Sequence, residues 1–586
     1  MATDNKYDRQ LRLWGAKGQK ALSECHVVLI NPSAAGTESL KNLVLPGVGR
    51  FTVVDEVNSI VTAQDASSNF FLPTSDIGRP RAETASKFLA ELNPDVRACH
   101  TTIDNDGNGG GGVWPTTEQT WTNLLKKIQN DESTTTATST TSTTDPSSKI
   151  LVLASDLSPQ TLLPLADACY TQGYPMLVVT SYGLIGSVRL QVPGAGISIL
   201  EPKRPNTKPD LRLMKPIGGL VEMTSQPPFQ DLSQLDSQQH GHVPYPIILL
   251  KAMEQWKAQS NNNGKNVPKT FPEKEEFKSL VKGMSRDFDK ELNFQEAYNN
   301  AYLAYTELDL NIPPKGMDVD DDGAADNVGD TAMSTLRKLY DTLETFMDRH
   351  GRCPLNGSIP DMTASTEWYV KLQRMYKQQA EADVEEMKQL LDGTGISEDD
   401  ITSFCANVFS VSHLETRSLK AEYRGIAVVD DNNGTNRTEE ESELVDDWKM
   451  ALMDPYEDAP IHTPIVWYLG LRACQNFNQH HGYFPGCGPQ TTDWKDDIPH
   501  LEKIFTDEIL PAYGLADDDL LTNKENIHNV CHEFTRYSNA EIHNIASVVG
   551  GVASQEAVKL ITSQYIPLDN TYIYNGIVSV GGVYRM

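Results

Sequence analysis

Residues 26–43, HVVLINPSAAGTESLKNL, constrain the fold more than any other stretch, because they spell a strand, a tight loop and a helix in direct succession. Val27, Val28, Leu29 and Ile30 form an apolar run of the kind that buried parallel strands use. From Thr37 to Leu43 the apolar residues fall on one side of a helix, with Gly47 beyond its end. A junction that grips pyrophosphate carries glycine at the first, third and sixth loop positions. These serve a tight turn, close approach of backbone to phosphate, and packing of helix on strand. Here those positions are Asn31, Ser33 and Gly36, and Pro32 deletes an amide donor that an anion would need. The scaffold is present and the phosphate cradle reads as disabled. An ordinary βα loop that never bound a nucleotide fits these residues equally well, so the flanking sequence has to decide.

The order of elements around this stretch predicts an α/β fold with a parallel, doubly wound sheet. FTVVDEV gives a second strand ending at Asp55, where an acidic residue would hold a ribose, and residues 77–96 give a helix leading to a third. Strands resume at KILVLAS, followed by Asp156, and again at YPMLVVTS with YGLIG. Between them, the glycine-rich DGNGGGG and the Ser/Thr tract at 133–148 are too polar and too simple to bury a core. From about 200 to 525 the pattern turns helical, including 333–347, 368–391 and a helix opened by Pro464. Charge runs at 316–330 and at 439–447, EEESELVDD, read as solvated loops. Near the end, Gly550, Gly551 and Ala553 predict a helix packed closely on a neighbour. The expected organisation is a sheet domain over 1–200, a helical domain over 201–525, and a return to the sheet domain over 526–586.

Composition bounds the partners. With 80 acidic and 50 basic side chains the formal charge is -30, which repels nucleic acid and anionic lipid. Eight cysteines without a CxxC pair argue for a reducing compartment and against structural zinc, and no run approaches the length of a membrane span. Cytoplasm and nucleus are the expected locations. His240 with His242, and His480 with His481, lack companion ligands at zinc spacing, so no metal site is expected.

Taken together, YDRQLRLWG, LINPSAAGTESLKNLVLPGVG, SSNFFL, IGRPRAE, LNPDV and, near the end, VVGGVASQEAVKLIT with NTYIYNGI resemble the activating enzymes of ubiquitin-like modifiers. Weaker matches run through the middle at GSIPDM and EFTRYS. Within that family the chain resembles the regulatory, non-catalytic subunit of the heterodimer for the neddylation (Rub-type) modifier. The corresponding SUMO subunit shares the YDRQ opening but lacks a helical middle of this size.

The resemblance implies a Rossmann-like pseudo-adenylation domain of the ThiF/MoeB type, split by a large, mainly helical insertion that resembles a catalytic-cysteine domain without its cysteine. It also implies a reaction. The heterodimer adenylates the modifier's C-terminal glycine with MgATP, passes it to a cysteine of the catalytic subunit and then to a conjugating enzyme. MgATP belongs to the partner subunit, and no cofactor is expected on this chain.

Departures from the active pattern agree with that division. Where active members carry an arginine that reaches ATP, this chain has Ser68, Asn69, Phe70 and Phe71, and five residues after Asp156 it has Thr161 in place of an arginine. Asp55 and Asp156 are then vestigial. Arg9, in the opening motif, is the arginine expected to reach across the dimer to the partner's phosphates, with Arg12 as the alternative if the register differs. Further partner contacts are expected in DLRLMKP, at Asp210 and Arg212, and in GSIPDM, at Gly357, Ile359, Pro360 and Asp361.

No cysteine has the setting of a nucleophile. Cys405 and Cys474 sit in apolar patterns, whereas Cys353 and Cys487 sit in turn-like contexts that could be exposed. The competing readings are a self-sufficient adenylating enzyme or nucleotide-dependent oxidoreductase, which would bind ATP or NAD alone, and an adaptor working through its acidic loops.

Overall fold

Strand β1 (His26–Ile30) is buried along its whole length, and its alternate side chains feed two different cores. Val27 and Leu29 pack on one face of the sheet against helices Ala34–Val44 and His543–Thr562, while Val28 and Ile30 pack on the other against Glu118–Asn130 and Pro159–Gln172. A strand covered on both sides must be apolar at every position, which is why this one shows no alternation. The computed structural model describes the chain outside residues 1–5, 104–113, 131–149, 195, 204–208, 260–266, 308–309, 311–329, 427–436, 454–459 and 489–492, with 330–334 and 460 described in backbone only. The glycine-rich stretch, the Ser/Thr tract and all but the last residue of the acidic run at 316–330 lie outside the described residues.

The remaining strands are β2 (Arg50–Glu56), β3 (Arg97–Ile103), β4 (Ile150–Ser155), β5 (Met176–Tyr182), β6 (Ile185–Gln191), β7 (Ile197–Ile199), β8 (Ser412–Leu414), β9 (Thr571–Asn575) and β10 (Val580–Tyr584). Among the described residues, β1 and seven of these form one sheet in the order β10-β9-β6-β5-β4-β1-β2-β3. The expected parallel, doubly wound arrangement holds from β3 to β5. Beyond β5 the sheet is antiparallel, a feature that the βαβαβ order at the start of the chain did not reach. The cause is local: Tyr182 pairs with Ile185 across a two-residue turn, too short for the crossover that a parallel neighbour needs. Gly183 supplies the positive φ of +54° that such a turn demands.

The chain divides into two compact units, one chiefly Met1–Ser198 with His413–Met586, the other Ile199–Asp322 with Ser334–Ser412. The insertion therefore ends near 412, not near 525 as the sequence suggested. Helix Pro464–His481, with Ile465, Trp467, Leu469 and Phe477 buried, joins Tyr182, Ile185 and Ile573 of the sheet in one core. Helical periodicity predicted that this segment is a helix; it carried no information about which body the helix packs against.

The acidic run at 439–447 is also corrected, since it lies within helix Glu439–Met453. Leu444, Val445, Trp448 and Leu452 bury one face, the Glu441 N–H donates to Thr438 Oγ1 at 3.1 Å, and three glutamates in the first turn meet the positive end of the helix dipole. Charge at a helix start is favourable and does not by itself mark a loop.

Gly36 has the packing role that its position implied. A Cβ built on it would lie 2.3 Å from Ser155 Oγ and 2.9 Å from Leu29 Cδ1. Gly36→Ala should lower folding stability by about 1–3 kcal/mol, read from urea or thermal melts of the full chain. A variant as stable as the parent would show that the strand–helix contact gives way without cost.

Candidate functional site

The crevice at the carboxyl ends of β1 and β4 is where the winding of the sheet reverses, the place at which sheets of this type receive ligands. Asn31 follows β1 with φ +64°, and its side-chain amide donates to Ser155 O at 2.8 Å, tying the two strand ends together. Ser33 then caps helix Ala34–Val44 by accepting from the Gly36 N–H at 3.2 Å. The amides of Ala34 and Ala35 point into the crevice with no partner in their own helix.

Glu541 supplies that partner. Its Oε2 accepts from Ala34 N–H at 2.7 Å and its Oε1 from Ala35 N–H at 3.0 Å. The backbone around it is fixed. Helix Lys524–Tyr537 ends in Ser538 and Asn539, both at positive φ, and the Gly183 N–H donates to Ala540 O at 2.8 Å. Glu541 itself bridges to Gly183, at the β5–β6 turn.

Asp156, at φ +46°, stands beside it. Burial pushes its carboxyl well above the usual carboxylate range, and the negative charge of Glu541 pushes it further. Burial raises Glu541 as well, but the Ala34 and Ala35 amides oppose that rise. Of the two carboxyls Asp156 is the one held well above its ordinary range, because Glu541 has two amides and the positive end of a helix to stabilise its charge.

A second substitution of the same kind fills the ribose side. Arg81 donates through Nε to Asp55 Oδ2 at 2.7 Å and through Nη2 to Asp55 Oδ1 at 2.8 Å and to Asn31 Oδ1 at 2.7 Å. Asp55 is fully buried by this fork. Asn69 is buried too, donating to Pro32 O at 3.1 Å and accepting from Thr37 Oγ1 at 3.1 Å, so it braces the loop. A nucleotide does not fit these residues as they stand: its phosphate would have to displace Glu541, and its ribose Arg81. The sequence pointed to Asn31, Pro32, Ser33, Gly36, Asp55 and Asp156, and the fold brings all six to this crevice. It gave no sign of Arg81 as the partner of Asp55, or of Glu541, whose contacts span more than 500 positions of chain.

The other candidates fall elsewhere. Arg9 lies exposed on helix Asp8–Glu24 and makes no ion pair with a described residue, while Arg12 pairs with Asp8 at 2.9 Å. Asp210 and Arg212 turn inward in the second unit. They pair with each other, and Arg212 also donates to Cys353 O at 2.9 Å and Pro354 O at 2.7 Å and lies over the Phe409 ring. Their contacts lie within this unit. Gly357, Ile359 and Pro360 are half-buried and Asp361 is exposed.

Arg212 and Cys353 line a cavity of ≈ 340 Å³ with Leu211, Met347 and Phe409. Cys353, whose turn-like context allowed exposure, is buried here, and burial raises its thiol pKa. Cys405 and Cys474 are buried as expected, with burial pushing the Cys405 thiol up to about 12. Cys487 is exposed, but its thiol is also raised, so none of these four has the lowered pKa of a nucleophile. His240 is buried against Glu291 at 2.6 Å, whereas His242, His480 and His481 are exposed, and no metal-holding cluster occurs among the described residues.

A carboxyl whose pKa is raised by folding contributes stability that is complete below its ordinary pKa and is lost as pH climbs through the raised value. Asp156→Asn removes that loss, and asparagine tolerates the left-handed backbone at this position. The thermal midpoint of the variant should fall less than that of the parent between about pH 5 and about pH 8. Parallel curves would place the proton elsewhere.

With this geometry in view, the comparisons with known proteins become specific. The ThiF family model matches residues 7–581. The NEDD8-activating enzyme E1 regulatory subunit of Xenopus laevis is 34% identical, covering 100% of this chain and 98% of its own length. Its counterpart AXR1 of Arabidopsis thaliana is 33% identical, covering 98% of this chain and 94% of its own length. The regulatory subunit of Saccharomyces cerevisiae is 23% identical, covering 99% of this chain and 100% of its own length. The chain belongs to the ThiF family, in its branch of NEDD8-activating enzyme E1 regulatory subunits.

Proposed function

We propose that this chain is the scaffolding half of a NEDD8-activating heterodimer and binds no nucleotide of its own. In this reading the catalytic subunit holds MgATP, adenylates the C-terminal glycine of the modifier, takes it as a thioester and hands it to a conjugating enzyme. The observation that carries the reading is the Glu541 carboxylate on the amides of Ala34 and Ala35, in a chain that aligns end to end with regulatory subunits. A site whose anion donors are already satisfied gains little from a phosphate.

Arg9 is the residue through which such a scaffold would act on its partner's chemistry. Its guanidinium is permanently charged, exposed and unengaged by any described residue, as a group reaching into a neighbouring subunit must be. A face for that neighbour is at hand in the first unit. Ile60, Phe70 and Ile77 are exposed by 50%, 75% and 49% on a segment that folds back on itself, with the Gly78 N–H donating to Val61 O. The charge of -30 disfavours nucleic acid, and no helix among the described residues is long and apolar enough to cross a membrane.

Calorimetry of the full chain with MgATP should show no binding, and coexpression with a catalytic subunit should give a complex of equal stoichiometry. ATP binding by the chain alone would end this reading. In the reconstituted heterodimer, Arg9→Ala should slow adenylation by about tenfold or more while assembly by gel filtration is unchanged. Normal ATP turnover would remove Arg9 from the mechanism.

A further inference from the structure

We propose that the start of helix Ala34–Val44 is a working oxyanion site with an internal ligand, Glu541, and that removing this carboxylate opens the site to inorganic phosphate. The inference rests on the proposed function, in which the chain binds no nucleotide of its own. It adds the residue responsible and the ligand class that residue keeps out.

Successive amides 2.7 and 3.0 Å from the two oxygens of one carboxylate form the cradle that a phosphate takes at a helix start. The helix is 11 residues long and its first turn holds no acidic residue, so the positive end of its dipole meets Glu541 alone among described anions in contact with these amides. Pro32, which lacks an N–H, and Ser33, which caps Gly36, narrow the cradle without abolishing it.

A second feature points to a larger anion. Asp156 Oδ2 and Ser181 Oγ are both buried, and neither meets a hydrogen-bond partner among the described residues; the Asp156 carboxyl faces Glu541 and Ser33. The two groups are neighbours, since Ser181 N approaches Asp156 Oδ1 at 3.4 Å. A carboxylate has two oxygens and spends both on Ala34 and Ala35. A tetrahedral anion has four, and could accept from the Ser181 hydroxyl as well. Glu541 thus meets the demand of the two amides and leaves the Ser181 hydroxyl unmet. Arg81 completes the outline on the ribose side by taking both oxygens of Asp55.

The test uses the full chain as wild type, Glu541→Ala and Glu541→Gln. Each is titrated with sodium phosphate against sodium chloride of matched ionic strength, and separately with MgATP, with the thermal midpoint as readout. Glu541→Ala should melt roughly 3 °C below wild type in chloride and recover at least half of that loss in millimolar phosphate. Wild type should respond to phosphate no more than to chloride. Glu541→Gln keeps one acceptor for the amides, so it should lose less and still gain from phosphate. It carries the comparison if the alanine variant does not fold. An equal phosphate response in all three proteins, an adventitious ion only, overturns the inference. So does a flat response from both variants. Stabilisation of wild type by MgATP would instead overturn the proposed function, so the two failures are distinguishable.

Discussion

Two backbone N–H groups at the start of helix Ala34–Val44 set the terms for the whole first unit. An α-helix cannot satisfy its first donors from within, and the alignment of its peptide dipoles makes that end positive. In a crevice between two strand ends such a group demands an anion. Here the anion comes from the chain itself, 507 and 506 residues further on. A single carboxylate therefore holds the opening βα unit to the returning segment and occupies the position that a phosphate would need.

The same logic recurs in the packing. Helix His543–Thr562 lies so close to helix Ala34–Val44 that a Cβ on Gly550 would fall 2.8 Å from Glu38 Cβ and 2.9 Å from Ser39 N, whereas Gly551 faces open space. One core accordingly runs from Leu22 to Ile561, and the two ends of the chain form one body. On the antiparallel side, Arg189 on β6 pairs with the buried Glu422 at 2.8 Å, and Tyr468 donates its hydroxyl to the same carboxylate. A buried pair of this sort contributes more to the choice of neighbour than to net stability, because desolvation offsets most of the Coulomb gain. It assigns the segment after residue 413 to the sheet.

A site can lose a ligand by deletion or by replacement, and these leave different molecules. Deletion alone, of the two glycines and two arginines that the active pattern carries, would leave buried amides and an uncompensated Asp55, each costly in a low-dielectric crevice. Replacement fills them: Arg81 neutralises Asp55, Glu541 answers Ala34 and Ala35, and burial beside Glu541 raises the Asp156 carboxyl. The donors and charges of the crevice are thus partnered within the chain, which suits a subunit whose proposed work is to present a fixed surface and one exposed arginine to a partner.

How much of this was legible in the sequence follows from the range of the forces involved. Strands, helices and the degenerate loop are written in short-range patterns: the apolar run of β1, the lost glycines at Asn31 and Ser33, the packing glycine at Gly36, and the family motifs at both ends of the chain. The acidic run at 439–447 misled because charge was weighed there without the buried Leu444, Val445 and Trp448 that share its helix. The limit of the insertion, the antiparallel half of the sheet, the inward turn of Asp210 and Arg212, and the pairing of Glu541 with Ala34 and Ala35 were decided by tertiary structure alone. Each depends on which groups meet across hundreds of residues, and no local periodicity encodes a hydrogen bond between residues 34 and 541. By itself the sequence determined that the loop after β1 lacks the phosphate glycines; only folding could determine what meets the amides at the helix start, because those donors and the carboxylate of Glu541 become neighbours in the folded chain alone.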